Sequence, residues 1–320
     1  MRAVVFTGAG GNEVVRLDER PDPVPGPEDV LVRVRFAGLN PADALQRAGH
    51  YPAPPGSPPD IPGLEVAGTV ETSGARVTAW RAGDRVFGLV GGGGLADRVL
   101  VHERCVARVP DSLSDEEAAA APEAYITAHD AVCTQASLRM GETLLVHGAA
   151  GGVGSAAVQI GLALGARVVA TVRSESARDA VAALGAEVVW DDGFAEALAG
   201  AADVVLELVG SPHFPGNLDA LASKGRIVVV GVGAGHEIAL PLRVLMGKRA
   251  SIRGTVLRAR PLEEKAAAVR AFEREVVPGL ASGRMRALVD SVYPAEEFAA
   301  AFDRLEGRGK VGKVLLAFTD

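Results

Sequence analysis

Residues Glu142 to Ser174, ETLLVHGAAGGVGSAAVQIGLALGARVVATVRS, constrain the fold of this chain more than any other stretch. Thr143 to His147 is a short apolar run of strand character, and it ends in Gly148-Ala149-Ala150-Gly151-Gly152-Val153-Gly154. Ser155 to Leu164 carries apolar residues at helical spacing, Gly165 stops that helix, and Arg167 to Val172 is a second, β-branched strand. Strand, glycine turn, helix and strand in so short a span make one βαβ unit of the kind that binds dinucleotides. Such a turn lets bare backbone approach a pyrophosphate, whose charge then sits on the open N–H groups at the helix N-terminus. The pattern is A-x-G-x-x-G, with Ala149 where the usual fingerprint has its first glycine. A tight turn that binds nothing is the alternative; two convincing flanking strands and the further βα units downstream favour the nucleotide.

With 320 residues the chain can bury a large core and is expected to hold two domains. No apolar run is long enough to cross a bilayer, and the opening MRAVVFTGAGG lacks the apolar core and cleavage site of a signal peptide. Cys105 and Cys133 are the only cysteines, which excludes a disulfide framework and a cysteine-rich metal site. A net charge of −7 without a long basic block argues against nucleic acid as a partner. The expectation is a cytoplasmic protein.

The first 110 residues read as all-β. Short alternating runs recur at Arg2 to Phe6, Val14 to Leu17, Val30 to Ala37, Val66 to Glu71, Arg85 to Val90, Leu95 to Val101 and Cys105 to Val109. Gly/Pro turn clusters separate them, as in a small barrel or sandwich. Ser114-Asp115-Glu116-Glu117 has the spacing of a helix capping box, and a further helix is expected over Ile126 to Gln135. From Thr143 strands and helices alternate, the later strands being Val188 to Trp190, Val204 to Leu208, Arg226 to Val230 and Ala250 to Gly254. Six strands are the complement of a doubly wound sheet. Pro261 to Ser282 reads as one long amphipathic helix, followed by a strand at Leu288 to Tyr293, a helix at Ala295 to Glu306 and a strand at Lys313 to Phe318. These have no place in a six-stranded nucleotide sheet, so the chain is expected to return to its first domain and leave a substrate cleft between the two.

The motifs Gly26-Pro27-Glu28-Asp29-Val30, Ala37-Gly38-Leu39-Asn40-Pro41-Ala42-Asp43, Gly49-His50-Tyr51-Pro52, Gly63-Leu64-Glu65-Val66-Ala67-Gly68, Gly83-Asp84-Arg85-Val86, Pro122-Glu123-Ala124-Tyr125-Ile126-Thr127-Ala128 and Gly309-Lys310-Val311-Gly312-Lys313-Val314 follow one another along the whole chain. Together with the glycine turn they resemble the medium-chain dehydrogenase/reductase superfamily, in its zinc-free, ζ-crystallin-like quinone oxidoreductase branch. The resemblance implies a GroES-like β-barrel catalytic domain over residues 1–118 and 257–320, with a Rossmann dinucleotide-binding domain over 119–256 inserted in it. The zinc enzymes of this superfamily carry a cysteine and a histidine where this chain resembles them at Asn40 and Leu64, and a cysteine-rich loop where it has Gly91 to Gly94. Asn40 and Leu64 cannot complete a catalytic zinc site, so no metal is expected.

The resemblance also implies NADPH-dependent reduction of quinones or α,β-unsaturated carbonyls by metal-free hydride transfer. Such acceptors take hydride at carbon and push charge onto oxygen, so no Lewis acid is required. Reduction of enoyl thioesters, and a non-catalytic crystallin-like or NADPH-binding role, are the alternatives. Family pattern places Asn40, Asp43, Tyr51 and Thr127 at the nicotinamide end: Asn40 as amide donor to the oxyanion, Thr127 to the carboxamide, Tyr51 as hydrogen-bond or proton donor. Asn40 and Asp43 equally suit the start of a short helix through Ala42 to Gln46, Tyr51 suits simple packing, and Glu65 a structural hydrogen bond or ion pair. On the cofactor side, Ala150, Gly151, Gly152, Val153 and Gly154 are expected to wrap the pyrophosphate. Gly210, Gly231 and Val232 are expected at the C-terminal edge of the sheet, and Lys313 either reaches a phosphate or is a solvated lysine.

The tip of the second strand, Val172-Arg173-Ser174, carries no acid where NAD enzymes of this fold place one. Arg173, Ser174 and Arg178 can receive a 2′-phosphate, which predicts a preference for NADPH. Trp190-Asp191-Asp192 after the third strand pulls the other way: Trp190 can stack on adenine, but an acid at 191 or 192 repels the phosphate if it faces the site, unless Arg173 simply pairs with it. Finally, Ala250 to Gly254 is expected at an open sheet edge, and pairing across it predicts a homodimer.

Overall fold

The computed structural model describes residues 1–318, and the chain divides into two compact units: Met1–Ile126 together with the segment from Leu257 onward, and Thr127–Val256. The first change of unit therefore falls within helix Pro122–His129, later than the boundary at 118/119 expected from sequence, and the second falls at Val256/Leu257.

The first unit is built on a seven-stranded sheet. Its central strand, Asp29–Gly38, pairs antiparallel with Glu65–Ser73, with Arg98–His102 and with the C-terminal strand Lys313–Ala317. The last pairing, with Leu316 opposite Ala37, returns the chain to its first unit. Val30, Val32 and Val34 on this strand face a core that also holds Phe302, Val314 and Leu316. The expected helix Pro261 to Ser282 is two helices, Leu262–Glu275 and Val277–Ala281. Pro278 has no N–H to give and its ring crowds the preceding turn, so the helix breaks there. The capping box forms as read: Ser114 N–H donates to Glu117 Oε2 at 3.0 Å and Glu117 N–H to Ser114 Oγ at 3.2 Å.

The second unit carries a six-stranded, all-parallel sheet: Thr143–Val146, Arg167–Val172, Glu187–Trp190, Ala202–Glu207, Leu221–Val229 and Ser251–Gly254. Numbered in chain order the strands lie 3-2-1-4-5-6, so the order reverses beside the first strand, where ligands bind in such sheets. Leu144, Leu145, Val146, Val204, Val205 and Leu206 are fully buried, as expected for strands covered on both faces. Each such side chain contributes roughly 1.5–3 kcal/mol relative to exposure. Helix Pro122–His129 gives way to a π-helical stretch, Asp130–Gln135, where a single α-helix from Ile126 was expected.

Candidate functional site

The candidate residues fall into two sets, one in each unit. In the second unit, the first strand, Thr143–Val146, runs on through His147 into a turn at Gly148, whose φ of +59° favours glycine. Helix Gly152–Ala163 then starts from Gly151 with no side-chain cap and no acidic residue in its first turn. Its first N–H groups are therefore available to an anion. A Cβ on Gly154 would lie 2.3 Å from the Gly148 carbonyl oxygen, so helix and strand approach this closely only with glycine there. Gly151 differs: its φ of −77° suits any residue, and a Cβ would meet nothing nearer than 3.4 Å. The fold does not need glycine at 151, whereas a pyrophosphate lying against bare backbone does. Ala150, Gly152 and Val153 line the same turn, each partly exposed. These residues fit a dinucleotide.

Gly210 and Gly231 meet at the ends of the fourth and fifth strands. A Cβ on Gly210 would lie 2.3 Å from Gly235 O and 3.1 Å from Val232 Cα, and one on Gly231 would lie 2.6 Å from Leu208 O. At the tip of the second strand Arg173 is exposed and makes no ion pair among the described residues. Ser174 caps helix Glu175–Ala182, its Oγ accepting from Ala177 N–H at 3.3 Å, and the Arg178 guanidinium lies 5.3 Å over the Trp190 ring. Arg173 does not pair with the neighbouring aspartates. Asp191 instead accepts a hydrogen bond from His213 Nε2 at 3.1 Å.

His213 belongs to a buried polar row that sequence reading missed, because its members are far apart in the chain. Glu207 accepts from the N–H groups of Val209 and Gly210 through Oε1, and from Asn217 Nδ2 through Oε2. That orients the Asn217 amide, since a carboxylate only accepts, and turns its oxygen toward His147 Nε2 at 2.7 Å. His147 therefore carries its proton on Nε2, leaving Nδ1 to accept from the Thr171 hydroxyl at 3.0 Å. Burial pushes His147 down to about 4, with the nearby His213 charge adding to it against the pull of Glu207. Burial also opposes the charge on His213, but its hydrogen bond to Asp191 and the facing Glu207 outweigh it and push the group up to about 9.

In the first unit Asn40, Asp43, Glu65 and Lys313 form one buried network. Lys313 Nζ donates to Leu39 O at 2.8 Å and Asn40 Oδ1 at 2.5 Å, and pairs with Glu65 Oε1 at 2.5 Å. An ammonium has three donors, and all three are occupied. Lys313 is thus neither a phosphate ligand nor a solvated lysine, contrary to both expectations. Because an ammonium can only face the amide oxygen, Asn40 Nδ2 is fixed toward Gly38 O at 3.2 Å and Glu65 Oε1 at 3.0 Å. Both amide N–H groups are occupied, so the expected donation from Asn40 to an acceptor oxygen has no donor left. Asp43 is fully buried, accepting from Asn40 N–H at 2.8 Å and Gly63 N–H at 2.9 Å. Burial raises it to about 6 despite these bonds and the charges of Lys313 and Arg258. It ties helix Pro41–Arg47 to the turn at Gly63 (φ +105°).

Tyr51 is half-buried, its ring 5.2 Å beneath the Arg258 guanidinium. Burial raises its pKa against the opposing charge of Arg258, so the hydroxyl stays protonated and able to donate. Arg258 is itself held by Gly91 O at 2.7 Å, Tyr51 O at 3.3 Å and Gln46 Oε1 at 2.5 Å. No motif in the sequence singles out this arginine. Thr127 is buried in helix Pro122–His129, the first residue of the other unit.

Leu64 is buried and offers no donor atom to a metal. Among the described residues, the grouping of His, Cys, Asp or Glu close enough to hold an ion is His147, Glu207 and His213. There both His147 nitrogens and both Glu207 oxygens already have protein partners.

Comparison with known proteins agrees with this architecture. Residues 26–111 match the alcohol dehydrogenase GroES-like domain family and residues 152–274 the zinc-binding dehydrogenase family. The chain is 34% identical to the quinone oxidoreductase of Lama guanicoe over 99% of its own length and 97% of the relative's. A solved NAD-dependent alcohol dehydrogenase superposes with a TM-score of 0.89 at 31% identity, covering 100% of both chains. A mycobacterial protein solved in complex with NADPH superposes with a TM-score of 0.88 at 29% identity, covering 99% of this chain and 100% of that one. A GroES-like unit, a parallel nucleotide sheet and a full-length match to quinone oxidoreductases together make this chain an enzyme of the medium-chain dehydrogenase/reductase superfamily, and it belongs to the quinone oxidoreductase branch.

Proposed function

We propose that this enzyme reduces quinones or α,β-unsaturated carbonyls with NADPH, without a metal. The observation that carries the reading is Gly151: a glycine the fold does not need, at the open start of a helix, beside a switch in strand order. When bound there, a nicotinamide dinucleotide supplies the hydride. Gly151, Gly152 and Val153 hold its pyrophosphate on backbone N–H groups, and Gly210, Gly231 and Val232 leave the sheet edge bare for the rest of it. Arg173, Ser174 and Arg178 receive the 2′-phosphate, with Trp190 against the adenine. Thr127 orients the carboxamide. Tyr51 donates a hydrogen bond to the oxygen on which charge develops, a role its raised pKa suits. Arg258 and Gln46 hold the loop carrying Tyr51. Asn40 and Asp43 support that surface from beneath and make no contact with the acceptor.

The same reading includes a two-fold dimer. Ser251–Gly254 has a strand neighbour on one side only, and the helix before it exposes Leu242 and Met246. Sedimentation equilibrium at micromolar concentration is expected to give a dimer, and a monomer would remove this part.

The test is kcat/KM with NADPH and NADH against a panel of quinones, enones and enoyl thioesters, before and after chelation. Activity is expected to survive chelation and to favour NADPH, with Arg173→Ala reducing that preference about tenfold. Gly151→Ala is expected to leave the melting temperature within about 2 °C and weaken binding of both dinucleotides at least about tenfold, through lost approach to the pyrophosphate. A wild type favouring NADH, or unchanged binding by Gly151→Ala, sinks the proposal.

A further inference from the structure

The tip of the third strand presents an acid where a 2′-phosphate is to be received. Asp191 N–H donates to Val172 O at 3.1 Å, one step beyond the Trp190–Val172 pair, so Asp191 lies beside Arg173 at the sheet edge. A free carboxylate in that place would repel the phosphate or capture Arg173. The structure has neither arrangement: Arg173 stays unpaired, and the Asp191 carboxylate is held by His213 Nε2 at 3.1 Å.

His213 is built to hold it. The residue is 6% exposed, with its ring 4.2 Å from that of His147 and 5.6 Å from that of Phe194. Its Nδ1 is buried without a hydrogen-bond partner and faces Glu207 Oε1 at 3.7 Å. A carboxylate only accepts, so Nε2 is the N–H donor to Asp191, and the second carboxylate facing Nδ1 favours a proton there too. Against the burial that opposes its charge, the two carboxylates push the ring up to about 9 and hold it as the imidazolium at neutral pH. The remaining neighbour, His147, is kept neutral by burial and supplies no competing cation.

We propose that His213 is a positioning residue for cofactor choice: it holds the Asp191 carboxylate in place and cancels its charge, so that the sheet edge beside Arg173 tolerates a 2′-phosphate. The inference rests on the NADPH reading and extends it. Asp191, which the sequence presents as an argument for NADH, is neutralised by a residue distant in the chain. Asp192 is outside this arrangement; it is exposed and its charge is screened by water.

Calorimetric dissociation constants for 2′,5′-ADP and 5′-AMP isolate the 2′-phosphate from catalysis. The wild type is expected to bind 2′,5′-ADP at least about tenfold more tightly. His213→Gln keeps a donor but loses the charge, and is expected to reduce that ratio about tenfold. Adding Asp191→Asn to it is expected to restore the ratio to within about threefold, an outcome that simple loss of packing at 213 would not give. An unchanged ratio in His213→Gln, or no restoration in the double variant, overturns the proposal. Should His213→Gln fail to fold, the wild type decides: its ratio is expected to fall about tenfold between pH 7 and 10 as His213, held at about 9, loses its proton, and a ratio flat over that range overturns the proposal. A wild type that binds both nucleotides equally defeats the NADPH reading itself, whereas a preference indifferent to His213 defeats only this inference.

Discussion

Each unit contains one buried polar cluster, and the two are built on opposite principles. In the first, Lys313, Glu65, Asn40 and Asp43 satisfy one another and the backbone at Gly38, Leu39, Asn40 and Gly63. Each donor on the Asn40 amide and the Lys313 ammonium has a partner, so the cluster holds backbone in place and has nothing left to offer a ligand. In the second, His213 is caught between Asp191 and Glu207 with one nitrogen lacking a bond. That cluster is under-satisfied, and its charges lie beside the tip of the second strand, where we propose that the 2′-phosphate is received. Residues that look chemically active in sequence thus have their donors engaged within the protein, while a histidine without any motif lies between two carboxylates in the other unit.

The sharpest way to break the contrast is at the Lys313–Glu65 pair. Removing one member leaves the other charged, buried and unpaired, so Glu65→Gln or Lys313→Met should each cost roughly 3–5 kcal/mol. Urea titration of both and of the double variant checks this, and the double should cost much less than the sum. Costs below about 1 kcal/mol would mean that water reaches the pair.

Asn40→Ala probes the same cluster more gently. Losing its links leaves Lys313 and Glu65 each short of a partner, and a cost of roughly 1–3 kcal/mol is expected with kcat within about threefold. Loss of an oxyanion donor typically costs on the order of 100-fold or more in rate, so a drop of that size would return the amide to the chemistry.

The smallest effect concerns pH. His213 is held at about 9 in the fold against an ordinary value of 6.5, so its contribution is complete below pH 6.5 and is lost as pH rises through 9. Lys310 runs the other way in that range, burial having pushed it down to about 8, so the wild-type curve mixes the two. The difference between wild type and His213→Gln removes Lys310 from the comparison. That difference should shrink between pH 7 and 10, by a few kcal/mol at most. The acid side is less informative, because Asp43, raised to about 6, gains stability as pH falls from there while His147, lowered to about 4, loses it below 6.5.

The βαβ unit at Glu142 to Ser174, the six strands of the nucleotide sheet and the return of the C-terminal strand to the first unit are all legible in the residues alone. The βαβ unit and the strands are local matters, set by hydrophobic period, glycine placement and capping residues that act on their near neighbours, and the return of the last strand follows from them because a complete six-stranded sheet has no room for it. That Leu64 cannot ligate a metal is legible too, since it follows from side-chain chemistry alone. The partners of Asn40, Lys313, Asp191 and His213 emerge only from packing between distant segments. A polar side chain's role depends on which of its donors and acceptors are already occupied, and here the occupants come from elsewhere in the chain: Lys313 for Asn40, Glu65 for Lys313, His213 for Asp191. Spacing in sequence carries no record of such pairings, because burial and desolvation arise only when distant segments are packed together.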